Sequence, residues 1–149
     1  MDVIRTNSQN IEFIDLIKQL DEELTNKYGH QQKFYDQFNK IEDCDTVIII
    51  KHDGIAVGCG CFKSFDENTV EIKRMFVQKK SRGMGISKKI LNALETWAKE
   101  LGFTSSILET GIKQHEAIGL YKKSGYQIAD NFGQYAGVET SVCFKKQLL

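Results

Sequence analysis

The segment KKSRGMGISKK, from Lys79 to Lys89, has the residue types of a phosphate-binding turn where a predicted strand gives way to a predicted helix. Its candidate phosphate contacts are Arg82, Gly83, Gly85, Ser87 and Lys88. A glycine-rich turn that enters a helix leaves unpaired backbone N–H groups, and the helix dipole adds about half a positive charge there. The glycines would let the backbone approach phosphate oxygens, the arginine could contact them as a fork, and the serine and lysine add donors. An ordinary strand-to-helix turn with a solvated basic rim is the alternative, and the glycines alone leave both open.

The spacing of these glycines differs from that of two better-known phosphate loops. A Walker loop needs four residues between its first glycine and a Gly-Lys-Ser/Thr triplet, and a dinucleotide fingerprint needs a third glycine three residues after the second. Lys88 stands at that third position. Neither of these two loops is therefore present.

Two blocks of the sequence together resemble a known family of enzymes. VEIKRMFVQKKSRGMGISKKIL followed by LETGIKQHEAIGLYKKSGY is similar to the GNAT superfamily of acyl-CoA-dependent N-acetyltransferases, over about Val70–Tyr126. The family's signature, Arg/Gln-x-x-Gly-x-Gly/Ala at a strand-to-helix turn, falls here on Arg82, Gly85 and Ser87. Ser87 departs from the family's glycine or alanine. Because serine is also small, we expect the loop to keep its shape.

The resemblance implies acetyl-CoA as cosubstrate and no metal. The backbone of Met75, Phe76 and Val77 would pair with the pantetheine arm like an added strand, and the loop would hold the pyrophosphate. A backbone N–H near Phe76 would stabilise the oxyanion that forms on the thioester carbonyl. Gln114 stands where the family often has an asparagine that binds the cofactor arm. The implied cofactor-binding residues are Met75, Phe76, Val77, Arg82, Gly83, Met84, Gly85, Ile86, Ser87, Lys88 and Gln114.

A carboxylate would be needed as general base, because an alkyl amine with a pKa of about 10.4 is almost wholly protonated at neutral pH. Glu71 matches the strand position where some family members carry a glutamate base. Lys73, two residues along, could instead hold Glu71 ionised with a low pKa in a structural pair. Glu109, at the end of SSILET, is a second candidate, with a role in fixing the following loop as its alternative.

Tyr121 occupies the position at which many family members have the general acid. A tyrosine can supply a proton to the departing thiolate. Without the resemblance, packing of a half-buried helix tyrosine beside Ile118 and Leu120 would be the favoured interpretation. The implied catalytic residues are therefore Tyr121 and Glu71.

Other chemically suggestive residues favour ordinary roles. Cys59 and Cys61 point to one face of a predicted strand without further clustered ligands, so core packing is favoured over a metal site. His115, at the start of a predicted helix, is the histidine nearest the implied site, but a surface position is favoured. Two loops could border the acceptor: residues 26–38, and residues 131–144 with the candidates Phe132, Tyr135 and Glu139.

Three helices are predicted from apolar residues at three- and four-residue spacings. The first carries Ile14, Ile17, Leu20, Leu24 and Tyr28 on one face and ends near Gly29. A weaker pattern contains Phe34, Tyr35 and Phe38. The third begins at Ile86, continues through Ile90, Leu91, Leu94, Trp97, Ala98 and Leu101, and has Gly102 at its cap. HEAIGLYKKSG predicts a further, shorter helix.

Strands are predicted between these helices. TVIII predicts a buried strand, and the turn dipeptide Asp53-Gly54 predicts an antiparallel return with Ile55, Val57, Cys59 and Cys61 on one side. In TVEIKRMFV, Val70, Ile72 and Phe76 alternate with Glu71, Lys73, Met75 and Val77 on the other face. SSILET and SVCFKK supply two more strands. The order predicts an α/β (α+β) fold, and the resemblance makes it a GNAT-like, mostly antiparallel sheet between helices, with a splayed central parallel pair.

The composition bounds the remaining properties. At 149 residues the chain fits a single domain, 1–149, without linkers or repeats. Twenty basic residues balance twenty acidic ones, which disfavours nucleic acid and anionic membrane as partners. Four scattered cysteines, no signal peptide and no long apolar run favour a cytoplasmic location. The oligomeric state, including a homodimer, stays open.

The sequence therefore predicts an N-acetyltransferase that moves an acetyl group from acetyl-CoA to a primary amine of a small molecule or peptide, by direct attack. A non-catalytic acyl-CoA-binding sensor is the main alternative, and a nucleotide-binding module is a third hypothesis.

Overall fold

The computed structural model describes residues 1–29 and 43–149, and the described residues form one sheet with helices on both faces. The strands are β1 (Asp2–Thr6), β2 (Val47–His52), β3 (Ile55–Ser64), β4 (Thr69–Val77), β5 (Ser105–Gly111), β6 (Gln127–Ala129) and β7 (Ser141–Gln147). The helices are α1 (Ile11–Tyr28), α2 (Ile86–Glu100) and α3 (His115–Lys123), and 3₁₀ turns cover Lys79–Ser81 and Gly133–Tyr135. The predicted helix around Phe34, Tyr35 and Phe38, and His30, lie outside the described residues.

The sheet order is β1-β2-β3-β4-β5-β7-β6, and every neighbouring pair is antiparallel except β4 and β5. The predicted mixed, mostly antiparallel sheet with a central parallel pair is confirmed. The short edge strands β1 and β6 were not predicted as strands. Within the described part of the chain each has one neighbouring strand, and neither carries a long alternating pattern.

The parallel pair is joined for only part of its length. Pairing runs from Thr69 opposite Ser105 to Ile72 opposite Leu108 and then stops, while β4 continues to Val77 and β5 to Gly111. The two strands therefore diverge beyond that point, as predicted, and open a gap in the middle of the sheet.

A β-bulge in β4 lies just past the last paired residue. Cys61 pairs with Lys73 but Cys59 pairs with Phe76, so Arg74 and Met75 together oppose one residue of β3. Arg74 has a φ of 59°, a conformation that non-glycine residues seldom adopt. A bulge adds local twist and bends its strand, which helps to carry β4 away from β5.

The bulge makes the predicted alternation along β4 wrong. Val70 and Ile72 pack in the core cluster that contains α2, but Phe76 packs in the cluster beneath α1. Met75 packs on the α2 side, not beside Glu71 and Lys73 as predicted. One inserted residue reverses the side of every residue that follows it.

A second irregularity overturns the predicted face of β3. The register with β2 shifts between Ile50 and Lys51, so Val57 packs on the α2 side while Cys59 and Cys61 pack under α1. The hairpin turn itself is confirmed, because Asp53 and Gly54 both have positive φ, as a two-residue turn of this kind requires.

Helix α1 covers one face of the sheet and begins at Asn10, whose side chain accepts a hydrogen bond from the backbone N–H of Phe13. Its predicted end at Gly29 is confirmed. The predicted apolar face is partly wrong, because Ile14 is 42% exposed and the buried residues are Phe13 and Leu16. The buried stripe is displaced by about one residue from the predicted one.

Helix α2 covers the other face and lies unusually close to β3. A Cβ atom at Gly60 would lie 2.7 Å from the sulfur of Met75 and 2.8 Å from Ile90. Glycine at this position therefore permits the close approach of the helix to the sheet. Within residues 1–29 and 43–149, no helix combines the length and apolar character needed to cross a membrane.

Candidate active site

A cavity of about 690 Å³ occupies the gap between β4 and β5 and extends to the start of α2. Its walls come from β4 (71–77), the turn into α2 (81–88), the end of β5 (109–111), α3 and its preceding residues (113–121), α1 (20–27) and Tyr135. All the implied catalytic and cofactor-binding residues line it except Met84, which is 43% exposed. The fold therefore gathers residues as far apart in the sequence as Leu20 and Tyr135 around one space.

The turn into α2 has the backbone form expected of an anion site. Gly83 and Gly85 have φ values of 86° and 75°, which L-residues with side chains rarely adopt. Gly85 is the N-cap, and no side chain caps the first turn of α2. The N–H groups at this helix start, at Ile86, Ser87 and Lys88, therefore lie at the cavity wall with the positive end of the helix dipole.

Arg82 is already held by protein groups. Its Nε donates to the carbonyl of Val77 at 2.9 Å, and its Nη2 donates to Glu23 of α1 at 2.6 Å. A fork onto phosphate, as predicted, would have to compete with Glu23. The Arg82–Glu23 ion pair also links α1, across the cavity, to the turn that enters α2.

A second contact joins α1 to the opposite wall. Lys27 donates to the side-chain oxygen of Gln114, at the N-cap of α3, over 3.0 Å. Gln114, predicted to bind the cofactor arm, thus lines the cavity and accepts a hydrogen bond from Lys27, a residue that no sequence motif indicated. Glu23 and Lys27 are four residues apart on α1, which places both on one helix face.

Glu71 and Lys73 form a pair inside the cavity, with Lys73 Nζ 3.8 Å from Glu71 Oε2 and side chains only 10–12% exposed. Burial raises the pKa of the Glu71 carboxyl, although the charge of Lys73 acts in the opposite direction. The pairing that the sequence suggested is therefore present, but the low pKa expected from it is wrong. Desolvation outweighs a single ion pair of this length.

Glu109, on β5, also lines the cavity. The hydroxyl of Ser141 on β7 donates to its Oε2 at 2.7 Å. Burial raises its pKa to about 7, and the negative charge of Glu71 acts in the same direction, while Ser141 and Lys73 lower it. Glu109 can therefore change its protonation state near neutral pH.

Tyr121 is buried on α3, and its ring packs against Tyr126 and Phe144 with ring centroids 5.9 Å apart in both cases. Burial, together with the charge of Glu109, raises the pKa of its hydroxyl, which therefore stays protonated. Tyr126 in turn donates to Glu95 of α2 at 3.0 Å and lies 2.8 Å from the hydroxyl of Ser106. This network fixes the ring that supports Tyr121.

The loop before β7 contributes one residue of its three predicted acceptor contacts. Tyr135 is fully buried and lines the cavity, and Phe132 packs against it at a ring distance of 5.6 Å. Glu139 is exposed and does not line the cavity. Residues 26–29 of the other predicted loop are described, but the rest of it lies outside the described residues.

The cysteines take the core positions that the sequence favoured. All four are free and buried, and Cys59 and Cys61 belong to the cluster under α1. In the parts of the chain that the structure describes, no three histidine, cysteine or acidic side chains cluster as a metal site would need. His115 is exposed at the cavity wall.

Comparison with known proteins assigns the chain to a family. The model of the acetyltransferase (GNAT) family matches residues 13–126, which contain β4, the phosphate loop and α3. The chain belongs to the GNAT acetyltransferase family. It is therefore an acyltransferase that uses an acyl-CoA donor.

Relatives of this GNAT protein match it over most of its length. The protein named IAA acetyltransferase from Azospirillum brasilense is 31% identical over 137 residues, which are 91% of this chain and 90% of that protein. The crystal structure of a proposed acyl-CoA N-acyltransferase from Klebsiella pneumoniae superposes with a TM-score of 0.82 at 32% identity, over 99% of this chain and 97% of that one.

A more distant GNAT structure shares the fold. The GNAT family acetyltransferase from Elizabethkingia anophelis, solved with acetyl-CoA bound, superposes with a TM-score of 0.70 at 20% identity, over 99% of this chain and 97% of that one. The overall fold is thus common to proteins of widely different sequence.

Proposed function

We propose that this protein transfers an acetyl group from acetyl-CoA to a primary amine of a small molecule or peptide, by direct attack and without a covalent enzyme intermediate. One observation carries the proposal. A single cavity joins the uncapped start of α2 to the gap between β4 and β5, where Glu71, Glu109 and Tyr121 meet. Such a space suits a long anionic donor at one end and proton transfer at the other.

The donor would lie along the residues named from the sequence. The turn from Arg82 to Lys88 would hold the pyrophosphate, and the backbone of Met75, Phe76 and Val77 would pair with the pantetheine arm. Among the strands that the structure describes, β4 has no partner on its β5 side beyond Ile72, so its backbone groups there face the cavity. The acetyl-CoA-bound Elizabethkingia relative supports acetyl-CoA as the donor.

The reaction needs a base and an acid. A carboxylate takes a proton from the ammonium group, the amine nitrogen forms a bond to the thioester carbonyl carbon, and the carbon–sulfur bond breaks. Tyr121 gives the thiolate its proton. The nitrogen loses two protons in total: the carboxylate passes one to solvent, and the other restores Tyr121 after it has protonated the CoA thiolate.

Direct attack is supported by the positions of the thiols. None of the four cysteines lines the cavity. Hydrogen bonding, chiefly with Cys61, lowers the pKa of Cys44 to about 6, but Cys44 packs in the cluster under α1. Burial raises the pKa of Cys59 to about 12 and that of Cys143 to about 11. Thiols of this kind are poor nucleophiles, because the thiolate is the reactive form. A cysteine-linked acetyl intermediate therefore has no support.

The balanced charge of the chain favours small-molecule or peptide amines over nucleic acid or membrane surfaces. The free cysteines favour a cytoplasmic location. A single catalytic domain spanning 1–149 is part of the proposal.

Calorimetric titration with acetyl-CoA, CoA and ATP tests the donor. We expect micromolar binding of acetyl-CoA and CoA, weaker binding of ATP, and loss of binding in a Gly85→Glu variant. Equal affinity for ATP would overturn the acyl-CoA donor and favour a nucleotide-binding module.

Release of free thiol in the presence of spermidine, glucosamine or a lysine-containing peptide tests the transfer. Binding of acetyl-CoA without transfer to any such amine would favour the acyl-CoA-binding sensor.

A further inference from the structure

The proposed reaction needs one carboxylate to remove the ammonium proton. Four glutamates among the described residues line the cavity. Glu23 is paired with Arg82 and Glu116 is exposed, which leaves Glu71 and Glu109 as the two candidates.

We infer that Glu109 is the general base and that Ser141 is its positioning residue, whereas Glu71 and Lys73 form a fixed pair beside it. This inference rests on the proposed acetyl transfer. The sequence resemblance pointed instead to Glu71.

Glu71 and Glu109 occupy different positions along the parallel strand pair. Glu71 lies within the paired part of β4, opposite Ile107 of β5. Glu109 follows Leu108, the last paired residue of β5, and is therefore the first residue of that strand at the edge of the gap. A base must lie within hydrogen-bond reach of the attacking amine, and the gap is where the cavity admits it.

Glu109 approaches the cavity from the face opposite Tyr121. Glu71 shares that face, because its neighbour Ile72 packs in the core cluster that contains Tyr121, so strand position and not the face separates the two carboxylates. Leu108 packs in the core cluster with α2 and Tyr121, so Glu109, the next residue of the strand, points to the opposite face. Glu109 and Tyr121 thus line the same cavity from the two sides of the sheet. The nitrogen gives up a proton and the sulfur receives one on opposite sides of the reacting carbon, which this arrangement serves.

Glu109 is held in place by a hydrogen bond from Ser141. Ser141 lies two residues before Cys143, the residue opposite Glu109, and therefore shares its face of the sheet. Its hydroxyl holds Oε2 at 2.7 Å, which leaves Oε1 as the second oxygen that can accept the amine proton. Glu71 has a cation 3.8 Å away, which opposes proton uptake.

The charged and titratable groups around Glu109 decide how its protonation responds to change. They are Glu71 and Lys73 on β4, Cys143 on β7, Tyr121 on α3 and Tyr135 in the preceding 3₁₀ turn. Glu71 raises the pKa of Glu109, while Lys73 and the Ser141 hydrogen bond lower it. Burial sets it near neutrality, where a base both exists ionised and takes up protons.

Initial rates of acetyl transfer to spermidine as a function of pH test the inference in Glu109→Gln, Glu71→Gln and Ser141→Ala. In the wild type, kcat/KM should rise with pH through an inflection near neutrality. We expect Glu109→Gln to lower kcat at pH 7 by about 10²- to 10³-fold and to abolish that inflection. In Glu71→Gln the inflection should remain but move to lower pH. In Ser141→Ala it should remain but move to higher pH.

Methoxyamine, which is unprotonated at neutral pH, separates a base from a structural residue. Its acetylation should be almost unaffected by Glu109→Gln, because no ammonium proton has to be removed. Equal loss with both amines would show a structural role and overturn the inference. Retention of the inflection in Glu109→Gln together with its loss in Glu71→Gln would assign the base to Glu71.

A failure of the proposed function itself would look different. The wild type would then bind acetyl-CoA but acetylate neither spermidine, glucosamine, a lysine-containing peptide nor methoxyamine, and the inference would fall with it. If Glu109→Gln fails to fold, Ser141→Ala still decides, since an unmoved inflection in that variant would contradict the role of Glu109.

Discussion

Glu109 combines burial with an adjacent like charge, and both make its ionised form costly to the folded chain. Its pKa rises from an ordinary 4.5 to about 7, so the folded protein binds more protons than the unfolded one between these pH values. Stability therefore falls as pH rises through that window, and the full cost is present above it. A residue placed for proton transfer in this way reduces stability at the pH where it works.

Replacing Glu109 by glutamine should therefore stabilise the fold in a pH-dependent way. We expect the free energy of unfolding of Glu109→Gln to be about 3 kcal/mol higher than that of the wild type at pH 8, and nearly equal to it at pH 4. Urea unfolding at pH 4, 6 and 8 measures this. Glu139→Gln, at an exposed glutamate, is the control and should change little. A difference that stays constant across pH would contradict the titration of Glu109.

Two neighbouring tyrosines should respond differently to the same substitution. Tyr121→Phe should lower kcat by about 10²- to 10³-fold with acetyl-CoA affinity unchanged, because only the proton donor is lost. Tyr126→Phe removes the hydrogen bond to Glu95 and should instead cost about 1–3 kcal/mol of stability, with kcat nearly retained. Steady-state kinetics and calorimetry decide. Similar losses of kcat in both variants would argue against Tyr121 as the acid.

Some residues of the candidate site could be predicted from the sequence, but their hydrogen-bond partners could not. Tyr121 and the glycine loop could be selected from a short contiguous motif. The Ser141–Glu109 and Arg82–Glu23 hydrogen bonds join residues 32 and 59 positions apart, so no local spacing indicates them. Only the folded sheet brings such partners together.

At the scale of elements, periodicity identified most helices and strands but not their irregularities. The bulge at Arg74 requires a positive φ in a residue that disfavours it, and the flanking alternation of apolar residues conceals it. The predicted faces of β4 were wrong beyond this point for that reason. The bulge is also what the site needs, since it lies where β4 leaves β5.

Two glycines, one at each end of α2, allow a matched test of the turn that enters this helix. Gly85, at its N-cap, and Gly102, just beyond its C-terminal end, have φ values of 75° and 94°, and a Cβ atom would meet nothing within 4 Å at either. Alanine should cost about 1–2 kcal/mol of stability at each, from backbone strain.

Of these two variants, only Gly85→Ala should also weaken acetyl-CoA binding, because Gly85 lines the cavity and Gly102 does not. Thermal unfolding and calorimetric titration of the two variants separate stability from affinity. Equal affinities in both variants would show that the backbone form of the loop does not matter for the donor.

At the scale of the whole molecule, α1 closes one side of a cavity whose other walls belong to β4, β5, α2 and α3. The amphipathic pattern predicted that this helix packs on the sheet, but not that Glu23 and Lys27 reach opposite rims of the gap. That result depends on the order in which strands join, which a single sequence does not state. The parallel pairing of β4 with β5 is the decisive step.

The Glu23–Arg82 pair gives this closure a measurable effect on donor binding. Glu23→Gln should release Arg82 for phosphate and tighten acetyl-CoA binding by about two- to fivefold, which corresponds to up to about 1 kcal/mol for a partly exposed ion pair. The gain should shrink at high salt, which already weakens the pair. Calorimetric titration at low and high salt measures both effects.

Glu22→Gln is the matched control for long-range charge. Glu22 is the preceding residue of the same helix, is exposed and does not line the cavity, so its loss removes the same charge without releasing Arg82. An equal gain in both variants would assign the effect to the general field of α1. Weaker binding in Glu23→Gln alone would mean that Glu23 orients Arg82 for the donor, because a guanidinium held in place binds phosphate better than a mobile one.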